Sequence, residues 1–345
     1  MTPPVTAENE SWVSSGDDVA LRRAAEAGNI AAKAALGYRL LAYPPYAVEE
    51  GTLWTVSAAN DGSGEAAHLV AVLTATGLGV PQSWPTALIY LQRSAEFGYE
   101  FARRELAALS GDAALAEAAR SGAHAPDSWR RLRESVDVAA WLKVPLPRVV
   151  NTAPRIAVME GFASAAICDW LIERARPMLK PAAIYDLASG EKRPDPKRTN
   201  TDAHFTIPDS DLILLFVRAR IAAVTGLPTG AMEATAALHY DVGQIFAHHY
   251  DYLDPALPGS TEELTAGGQR LVTFLLYMNE SFDAAETDFP HIPWQYRGAK
   301  GDAMFFWNVD TNGQPDPLTM HAGLPPTRGE KWLLSQWIRA RVGLG

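Results

Sequence analysis

The sequence predicts an α+β protein of two parts, an N-terminal α-solenoid of helical repeats followed by a β-rich sandwich or barrel with flanking helices. An Ala-rich pattern repeats in the first third of the chain. After residue 236, short aromatic and β-branched runs alternate with Gly, Pro and Asp, as in proteins built from several short strands. Pro145, Pro147 and Pro154 lie between the helical part and the strand-rich part and predict a domain boundary there. With 345 residues, the chain is long enough for two domains, each with its own core.

The repeat is centred on Gly28, Gly62 and Gly98, which are 34 and 36 residues apart. An alanine-bearing segment precedes each glycine, and small residues and a leucine follow it. A period of this length is typical of stacked helix pairs, and we expect each glycine to end a helix at positive φ. The pattern resembles Sel1-like repeats, relatives of the tetratricopeptide family that commonly bind proteins. The predicted organisation is a flexible N-terminus at 1–16, Sel1-like repeats at 17–112, a helical connector at 113–145 and a second domain at 146–345.

The sequence of the second domain predicts one helix followed by several strands. Ile167, Leu171 and Ala175 recur at helical spacing and predict a helix over 162–179. The runs that predict strands are 236–242, 245–252, 270–278, 302–307 and 331–340.

Charge and composition exclude several classes of function. The formal net charge is −10, and an acidic surface disfavours nucleic acid, which binds basic surfaces. No apolar run reaches the roughly 20 residues of a membrane span. Residues 1–15 lack the basic stretch and apolar core of a secretory signal. The single cysteine, Cys168, allows neither an intrachain disulfide nor a cysteine-based metal site. We therefore expect a cytoplasmic protein that binds neither nucleic acid nor a membrane.

Four residues predict the chemistry. His249 and Asp251 are two residues apart, so on one strand their side chains would face the same side. His321 can add a second imidazole from a distant segment. Two histidines and one carboxylate form the facial triad of non-haem Fe(II) oxygenases, which leaves coordination positions open. Lys331, ten residues after His321, can hold the far carboxylate of a dicarboxylate co-substrate.

Residues 146–345 resemble the prolyl 4-hydroxylase branch of the 2-oxoglutarate/Fe(II) dioxygenases. The resemblance rests on Glu233, the run 240–251, Lys300-Gly301 and the segment 321–337, in this order and spacing. It implies a double-stranded β-helix (jelly-roll) core. It also implies Fe(II), 2-oxoglutarate and O2 as cofactor and co-substrates, with ascorbate as reductant.

The resemblance also assigns roles to residues. It implies Fe(II) on His249, Asp251 and His321, and 2-oxoglutarate chelating the iron with its distal carboxylate on Lys331.

Tyr240 and Thr287 match positions that help to hold this carboxylate in the family. The match of Thr287 is weaker, because Ala284-Ala285 stands where relatives have Gly-Gly. His248 is a rival to His249 as a ligand, but only His249 has an aspartate two residues later, so we favour a surface or supporting role for His248.

Arg198 and Trp337 are assigned to the substrate side. Arg198 lies in a charged, proline-containing loop at 191–200 and resembles a position in the family's substrate loop. Trp337, six residues after Lys331, would share its strand face near the cavity, although a tryptophan of this kind is more often part of the core. The loop 254–268 is also long, and such loops in compact domains often act as lids. A solvated surface loop is the alternative for both segments.

The resemblance favours hydroxylation of a prolyl residue in a peptide or protein, with release of succinate and CO2. The helical repeats offer a surface for such a substrate, and the alternative is that they only pack against the second domain. Two alternatives stay open: a hydroxylase of a free amino acid or another small molecule, and a repeat-based interaction module with a degenerate oxygenase domain. The intact triad and Lys331 argue against the latter. The sequence favours no particular oligomeric state.

Overall fold

The computed structural model describes residues 18–120, 127–186, 191–193, 195–257 and 259–342. The predicted flexible N-terminus, residues 1–16, therefore lies outside the described residues. The chain divides into a helical unit, Thr2–Lys143 with Thr206–Phe216, and a sheet unit, Val144–Phe205 with Val217–Gly345. The division at 143/144 lies close to the proline cluster. No sequence pattern predicts that 206–216 groups with the helices.

Antiparallel helix hairpins build the helical unit. Gly28, Gly62 and Gly98 have φ of 91°, 102° and 90°, so each breaks the chain between two helices as the repeat predicts. Alanines and leucines of successive helices fill the interior, including Ala58 and Ala67, which are fully buried. The described helices are α1 (Asp18–Glu26), α2 (Ile30–Ala42), α3 (Val48–Asn60), α4 (Gly64–Thr76), α5 (Trp84–Glu96), α6 (Glu100–Ser110), α7 (Ala113–Arg120), α8 (Asp127–Ser135) and α9 (Val138–Leu142).

The sheet unit adds helices α10 (Ala165–Ala175), α11 (Leu212–Thr225, which begins in the segment that groups with the helical unit) and α12 (Ser260–Gly267). Its described strands are β1 (Arg148–Thr152), β2 (Arg155–Met159), β3 (Lys180–Pro181), β4 (Ile184–Asp186), β5 (Glu191–Arg193), β6 (Thr201–Phe205), β7 (Thr235–Tyr240), β8 (Phe246–His249), β9 (Arg270–Tyr277), β10 (Asp283–Ala284), β11 (Thr287–Phe289), β12 (Trp294–Tyr296), β13 (Ala303–Trp307), β14 (His321–Gly323), β15 (Pro326–Arg328) and β16 (Lys331–Arg339).

Two antiparallel sheets enclose the core of this unit. The larger sheet has the order β1-β2-β13-β9-β16-β7-β6-β3, and the smaller one has the order β12-β11-β14-β8. Buried side chains of the larger sheet, such as Leu275, Met304 and Leu333, pack with Phe289 of β11, while Phe246 of β8 lies against the same cluster. Sheets that face each other across one apolar layer form the predicted jelly roll. The α+β prediction of a helical solenoid and a jelly roll is confirmed.

Several element boundaries differ from the prediction. The proline-rich boundary also contains the hairpin β1–β2, because the apolar run Arg155–Met159 pairs with β13. The helix predicted over 162–179 is α-helical only at Ala165–Ala175, after which Pro177 lies in a 3-10 turn. The strand predicted over 245–252 ends at His249, so Asp251 follows the strand instead of lying on it.

None of the helices in the described ranges combines the length and the apolar character that crossing a membrane requires.

Candidate metal centre and co-substrate pocket

Strand pairing brings the three predicted metal ligands together. β8 and β14 are antiparallel neighbours, and His249 lies directly opposite His321. Asp251 follows the end of β8 and turns its carboxylate towards both imidazoles. His249 Nε2 lies 3.4 Å from Asp251 Oδ1, and His321 Nε2 lies 3.5 Å from Asp251 Oδ2. One ligand atom of each residue lies within 4.8 Å of the others, which is the spacing that a single ion needs.

Both histidines present the same nitrogen to this point. Nδ1 of His249 bonds the carbonyl of Ala247 at 2.8 Å, and Nδ1 of His321 bonds the carbonyl of Thr319 at 3.0 Å. A carbonyl only accepts, so each Nδ1 carries a hydrogen, and the neutral imidazole then keeps its lone pair on Nε2. This is how proteins fix the tautomer of a metal-binding histidine. The donor set of two neutral imidazoles and one carboxylate fits Fe(II).

Hydrogen bonds and nearby charge favour the ionised form of Asp251, which is the form that binds a metal. Its side chain is buried, and Thr273 Oγ1 donates to Oδ2 at 2.7 Å. Burial alone would raise the pKa of Asp251, but His321, His249 and the Thr273 hydroxyl outweigh it and hold the pKa well below its ordinary value. Burial lowers the pKa of His321 to about 4, so its imidazole is neutral at pH 7. His321 and Asp251 therefore need to lose no proton before they bind a cation.

A stack of planar groups supports His249. The Phe246 ring lies parallel to its imidazole, with centroids 3.5 Å apart and a 10° angle between the planes. The guanidinium carbon of Arg198 lies 4.5 Å from the centroid of the Phe246 ring. Asp202 in turn accepts a hydrogen bond from Arg198 at 2.9 Å. Arg198, which the sequence assigns to the substrate side, thus also packs against the ring that stacks on a candidate metal ligand.

The triad opens onto a cavity that encloses about 500 Å³, including its solvent-filled mouth. Tyr240, Thr287, Arg198 and Trp337 all line it together with the triad. Its other walls are mainly apolar. The lining residues are Arg198, His204, Ala236, Leu238, Tyr240, Phe246, His249, Asp251, Leu275, Thr287, His321, Gly323, Leu333, Ser335 and Trp337.

Lys331 lies beside the Tyr240 end of the cavity but is not among its lining residues. It pairs with Tyr240 across β16 and β7, and it shares the strand face of Leu333. Its ammonium is fully buried, donates to the carbonyl of Ala285 at 2.6 Å and lies 5.3 Å from the centroid of the Tyr240 ring. Burial lowers the pKa of Lys331 to about 7. An anionic carboxylate placed here would favour the charged ammonium.

The turn before Thr287 is strained. Ala284 and Ala285 have φ of 59° and 63°, a left-handed conformation that costs an L-residue about 1–2 kcal/mol. The two alanines that stand in place of Gly-Gly thus adopt a backbone conformation that favours glycine. Thr287 remains buried, and its hydroxyl hydrogen-bonds the hydroxyl of Tyr277 at 2.7 Å.

Sequence reasoning missed the residues that support the triad. Thr273 bonds Asp251, and Asn308 Nδ2 donates to Thr273 Oγ1 at 3.0 Å. A threonine inside an apolar strand was the only signal, and it is a weak one because such residues are common. His248 is half exposed and bonds Asp288 at 3.1 Å, outside the triad.

Comparison with known proteins agrees with this geometry. The family model of the 2OG-Fe(II) oxygenase superfamily matches residues 235–339. Prolyl 4-hydroxylase 1 of Arabidopsis thaliana is 31% identical over 210 residues, which cover 57% of this chain and 72% of the relative. Probable prolyl 4-hydroxylase 9 of the same plant is 34% identical over 210 residues, covering 56% and 71%. The chain belongs to the 2OG-Fe(II) oxygenase superfamily.

Two solved structures match parts of this chain. A viral collagen prolyl hydroxylase from Paramecium Bursaria Chlorella virus-1, in its 2OG complex, is 28% identical, covers 54% of this chain and 96% of its own, and gives a TM-score of 0.41. A Sel1 repeat protein from Oxalobacter formigenes is 25% identical, covers 36% and 92%, and gives a TM-score of 0.26.

Membership of this superfamily confirms the predicted enzyme class. The protein is a 2-oxoglutarate-dependent dioxygenase, and enzymes of this superfamily use Fe(II), 2-oxoglutarate and O2.

Proposed function

We propose that this dioxygenase hydroxylates a prolyl residue in a peptide or protein, with Fe(II) bound by His249, Asp251 and His321. The observation that carries this proposal is the convergence of two free Nε2 atoms and one buried carboxylate at the wall of a single cavity. The curated relatives that match the chain over most of their length are named prolyl 4-hydroxylases, which favours proline as the residue oxidised.

The proposed binding mode assigns the open coordination positions. Three protein ligands on one face leave room for a bidentate keto acid and for dioxygen. Fe(II) and 2-oxoglutarate together supply the oxidation of an unactivated C–H bond, with release of succinate and CO2. Lys331 would hold the distal carboxylate, and the hydroxyls of Tyr240 and Thr287 would donate to it from the cavity wall. Leu275 and Leu333 line the same cavity, and their side chains would exclude water from it.

The substrate would enter beside Trp337 and Arg198, which also line the cavity. A pyrrolidine ring is apolar and flat enough to lie against the indole of Trp337. The peptide main chain would then find polar partners around Arg198. The Ala-rich helix pairs of the helical unit offer a surface for a peptide or protein substrate, since stacked repeats form extended binding surfaces.

Turnover of the full chain tests this proposal. We expect protein incubated with Fe(II), ascorbate and 2-oxoglutarate to release succinate, faster when a proline-containing peptide from a library is added. The peptide should gain the mass of one oxygen atom at proline. A matched His249→Ala protein should do neither.

Two other outcomes would favour the alternatives. Oxidation of free proline or another small molecule, with every peptide unchanged, would support a small-molecule hydroxylase. No succinate at all, with iron demonstrably bound, would support an interaction module.

A further inference from the structure

Arg198, at the substrate side of the cavity, has its charge paired within the protein. Its Nη2 donates to Asp202 Oδ2 at 2.9 Å, and the two side chains are only 10% and 11% exposed. Its Nη1 donates to the carbonyl of Ala183 at 3.3 Å, which holds the guanidinium beside the carboxylate. Because little water reaches this pair, its attraction is only weakly screened.

Strand pairing places Asp202 on the wall that faces the cavity. Asp202 lies opposite Leu238 across β6 and β7, and His204 lies opposite Ala236. Directly opposed residues project from the same face of a sheet, and Leu238, Ala236 and His204 all line the cavity. His204 Nε2 lies 3.5 Å from Asp202 Oδ2. Asp202 thus lies between the two side chains of this wall that can carry a positive charge, Arg198 and His204.

The charges of Arg198 and Asp202 oppose each other inside the cavity. Burial is the main cause that raises the pKa of Tyr240; Arg198 acts to lower this pKa, whereas Asp251 and Asp202 act to raise it. Apart from the histidines, the ionised side chains among the described lining residues are Arg198 and Asp251. Because Asp251 is a proposed metal ligand, the charge left for a substrate is that of Arg198, and Asp202 offsets it.

This balance distinguishes substrates by their charge. An internal prolyl residue with uncharged neighbours brings only neutral groups to the wall. A carboxylate beside the target ring, from an acidic neighbour or from the end of a chain, must leave water without an unpaired cation to receive it. Burial of an uncompensated charge is unfavourable, so such a substrate binds more weakly.

We propose that Asp202 is a specificity-determining residue, which neutralises Arg198 and so disfavours substrates that carry a carboxylate beside the target proline. This inference rests on the proposed function, because it takes Arg198 as part of the wall that contacts a peptide. Free proline and a C-terminal proline are poor substrates by the same rule. Asp202 thus selects an internal prolyl residue between uncharged neighbours.

Two variants separate charge from structure. Asp202→Asn keeps the shape of the side chain and an oxygen that accepts from Arg198, but it leaves the guanidinium charge unpaired. The double variant Asp202→Asn/Arg198→Gln removes this charge as well, so it should recover the selectivity of the wild type. Asp127→Asn is the matched control, because Asp127 forms an exposed ion pair with Arg130, at 3.1 Å, in the helical unit.

The first measurement needs neither substrate nor metal. Crystals of the full chain are soaked in sodium bromide, and anomalous diffraction locates the bromide ions. We expect a bromide peak beside the Arg198 guanidinium in Asp202→Asn, and none there in the wild type, in Asp127→Asn or in the double variant. A peak at Arg198 in the wild type, or its absence in Asp202→Asn, would overturn the proposal.

The second measurement compares kcat/KM for proline peptides that differ only in Gln or Glu beside the target proline, with one such pair for each side of the ring. Wild-type protein and Asp127→Asn should prefer the Gln peptide of at least one pair by about tenfold, the value of one hydrogen bond to a charged group. The ratio should fall to about one or invert in Asp202→Asn, as an unpaired cation then receives the carboxylate. The double variant should again prefer Gln.

Equal use of Gln and Glu peptides by the wild type, or an unchanged ratio in Asp202→Asn, would contradict the role of Asp202. If the wild-type protein oxidises no proline peptide, the proposed function fails, whereas the bromide sites still decide whether Asp202 neutralises Arg198.

Discussion

Two groups of histidine and carboxylate side chains lie in the sheet unit, and they differ in what their nitrogen atoms are free to do. The triad cluster consists of His249, Asp251 and His321, and the edge cluster of His239, Asp241 and Glu330. Both bring three possible ligand atoms within 4.8 Å. By the distances between ligand atoms alone, the two clusters would be equally good candidates for a metal site.

Hydrogen bonding separates the two clusters. In the edge cluster, His239 Nε2 already bonds Glu330 at 2.9 Å, and its Nδ1 lies 2.9 Å from the hydroxyl of Thr201. Glu330 also accepts from Arg176 at 2.7 Å, so a cation there would have to displace an arginine. Arg176 is the main cause that lowers the pKa of Glu330, to about 2. The triad cluster keeps both Nε2 atoms free and opens onto a cavity. A metal site therefore needs free lone pairs and access as well as the right residues.

Removing a triad histidine should have the largest effect. We expect His249→Ala or His321→Ala to abolish turnover and to weaken Mn(II) binding at least about a hundredfold, because even outer-shell changes cost about 10- to 100-fold. His239→Gln, in the edge cluster, should bind one Mn(II) per chain as the wild type does. Titration followed by electron paramagnetic resonance measures both. A loss of binding in His239→Gln alone would reverse our ranking of the clusters.

Lys331→Ala should weaken 2-oxoglutarate binding about 10- to 100-fold, since a hydrogen bond to a charged group contributes about 1.5–3 kcal/mol. Calorimetry on Mn(II)-loaded protein measures this affinity. Lys300→Ala is the control, because Lys300 forms a surface ion pair with Asp169 at 2.5 Å. It should bind 2-oxoglutarate normally. Wild-type affinity in Lys331→Ala would remove the lysine from the co-substrate site.

The low pKa of Lys331 predicts that 2-oxoglutarate binding depends on pH. Burial lowers this pKa to about 7, so above pH 7 the free protein carries a neutral amine that must take up a proton when the carboxylate binds. The dissociation constant of 2-oxoglutarate should therefore rise about tenfold from pH 7.5 to 8.5. Lys331→Arg stays charged and should show a flat profile. A flat profile in the wild type would contradict a proton-coupled contact.

The smallest effect concerns the strain beside Lys331. Among the described non-glycine residues, positive φ occurs only at Ala284 and Ala285, next to the co-substrate end of the cavity. Ala284→Gly should raise the free energy of unfolding by up to about 1 kcal/mol, because relief of about 1–2 kcal/mol exceeds the entropic cost of glycine. Ala303→Gly, in buried strand β13, should lower it. Urea titration compares the two, and a destabilised Ala284→Gly would mean that the turn carries no strain.

The sequence predicts those features that depend on spacing. The glycine period located three of the helix hairpins, because the short turns after α1, α3 and α5 each contain a glycine at positive φ. The order and spacing of His249, Asp251, His321 and Lys331 predicted the reaction class. Strand pairing brings the two histidines opposite each other.

The features that sequence reasoning missed depend on tertiary contacts. Arg270 and Thr273 lie in an ordinary apolar strand, and only the fold shows that both touch Asp251. The edge cluster illustrates the opposite error, since its residue types suit a metal while its partners exclude one. The end of β8 at His249 was also unpredictable, because the apolar alternation continues beyond it.

The most direct test of the metal assignment is anomalous diffraction from crystals grown without oxygen and soaked in Mn(II) and 2-oxoglutarate. We predict one peak within bonding distance of His249 Nε2, His321 Nε2 and one oxygen of Asp251, with the distal carboxylate of 2-oxoglutarate on Lys331. A peak between His239 and Glu330, or a triad without metal while the co-substrate binds elsewhere, would contradict the account.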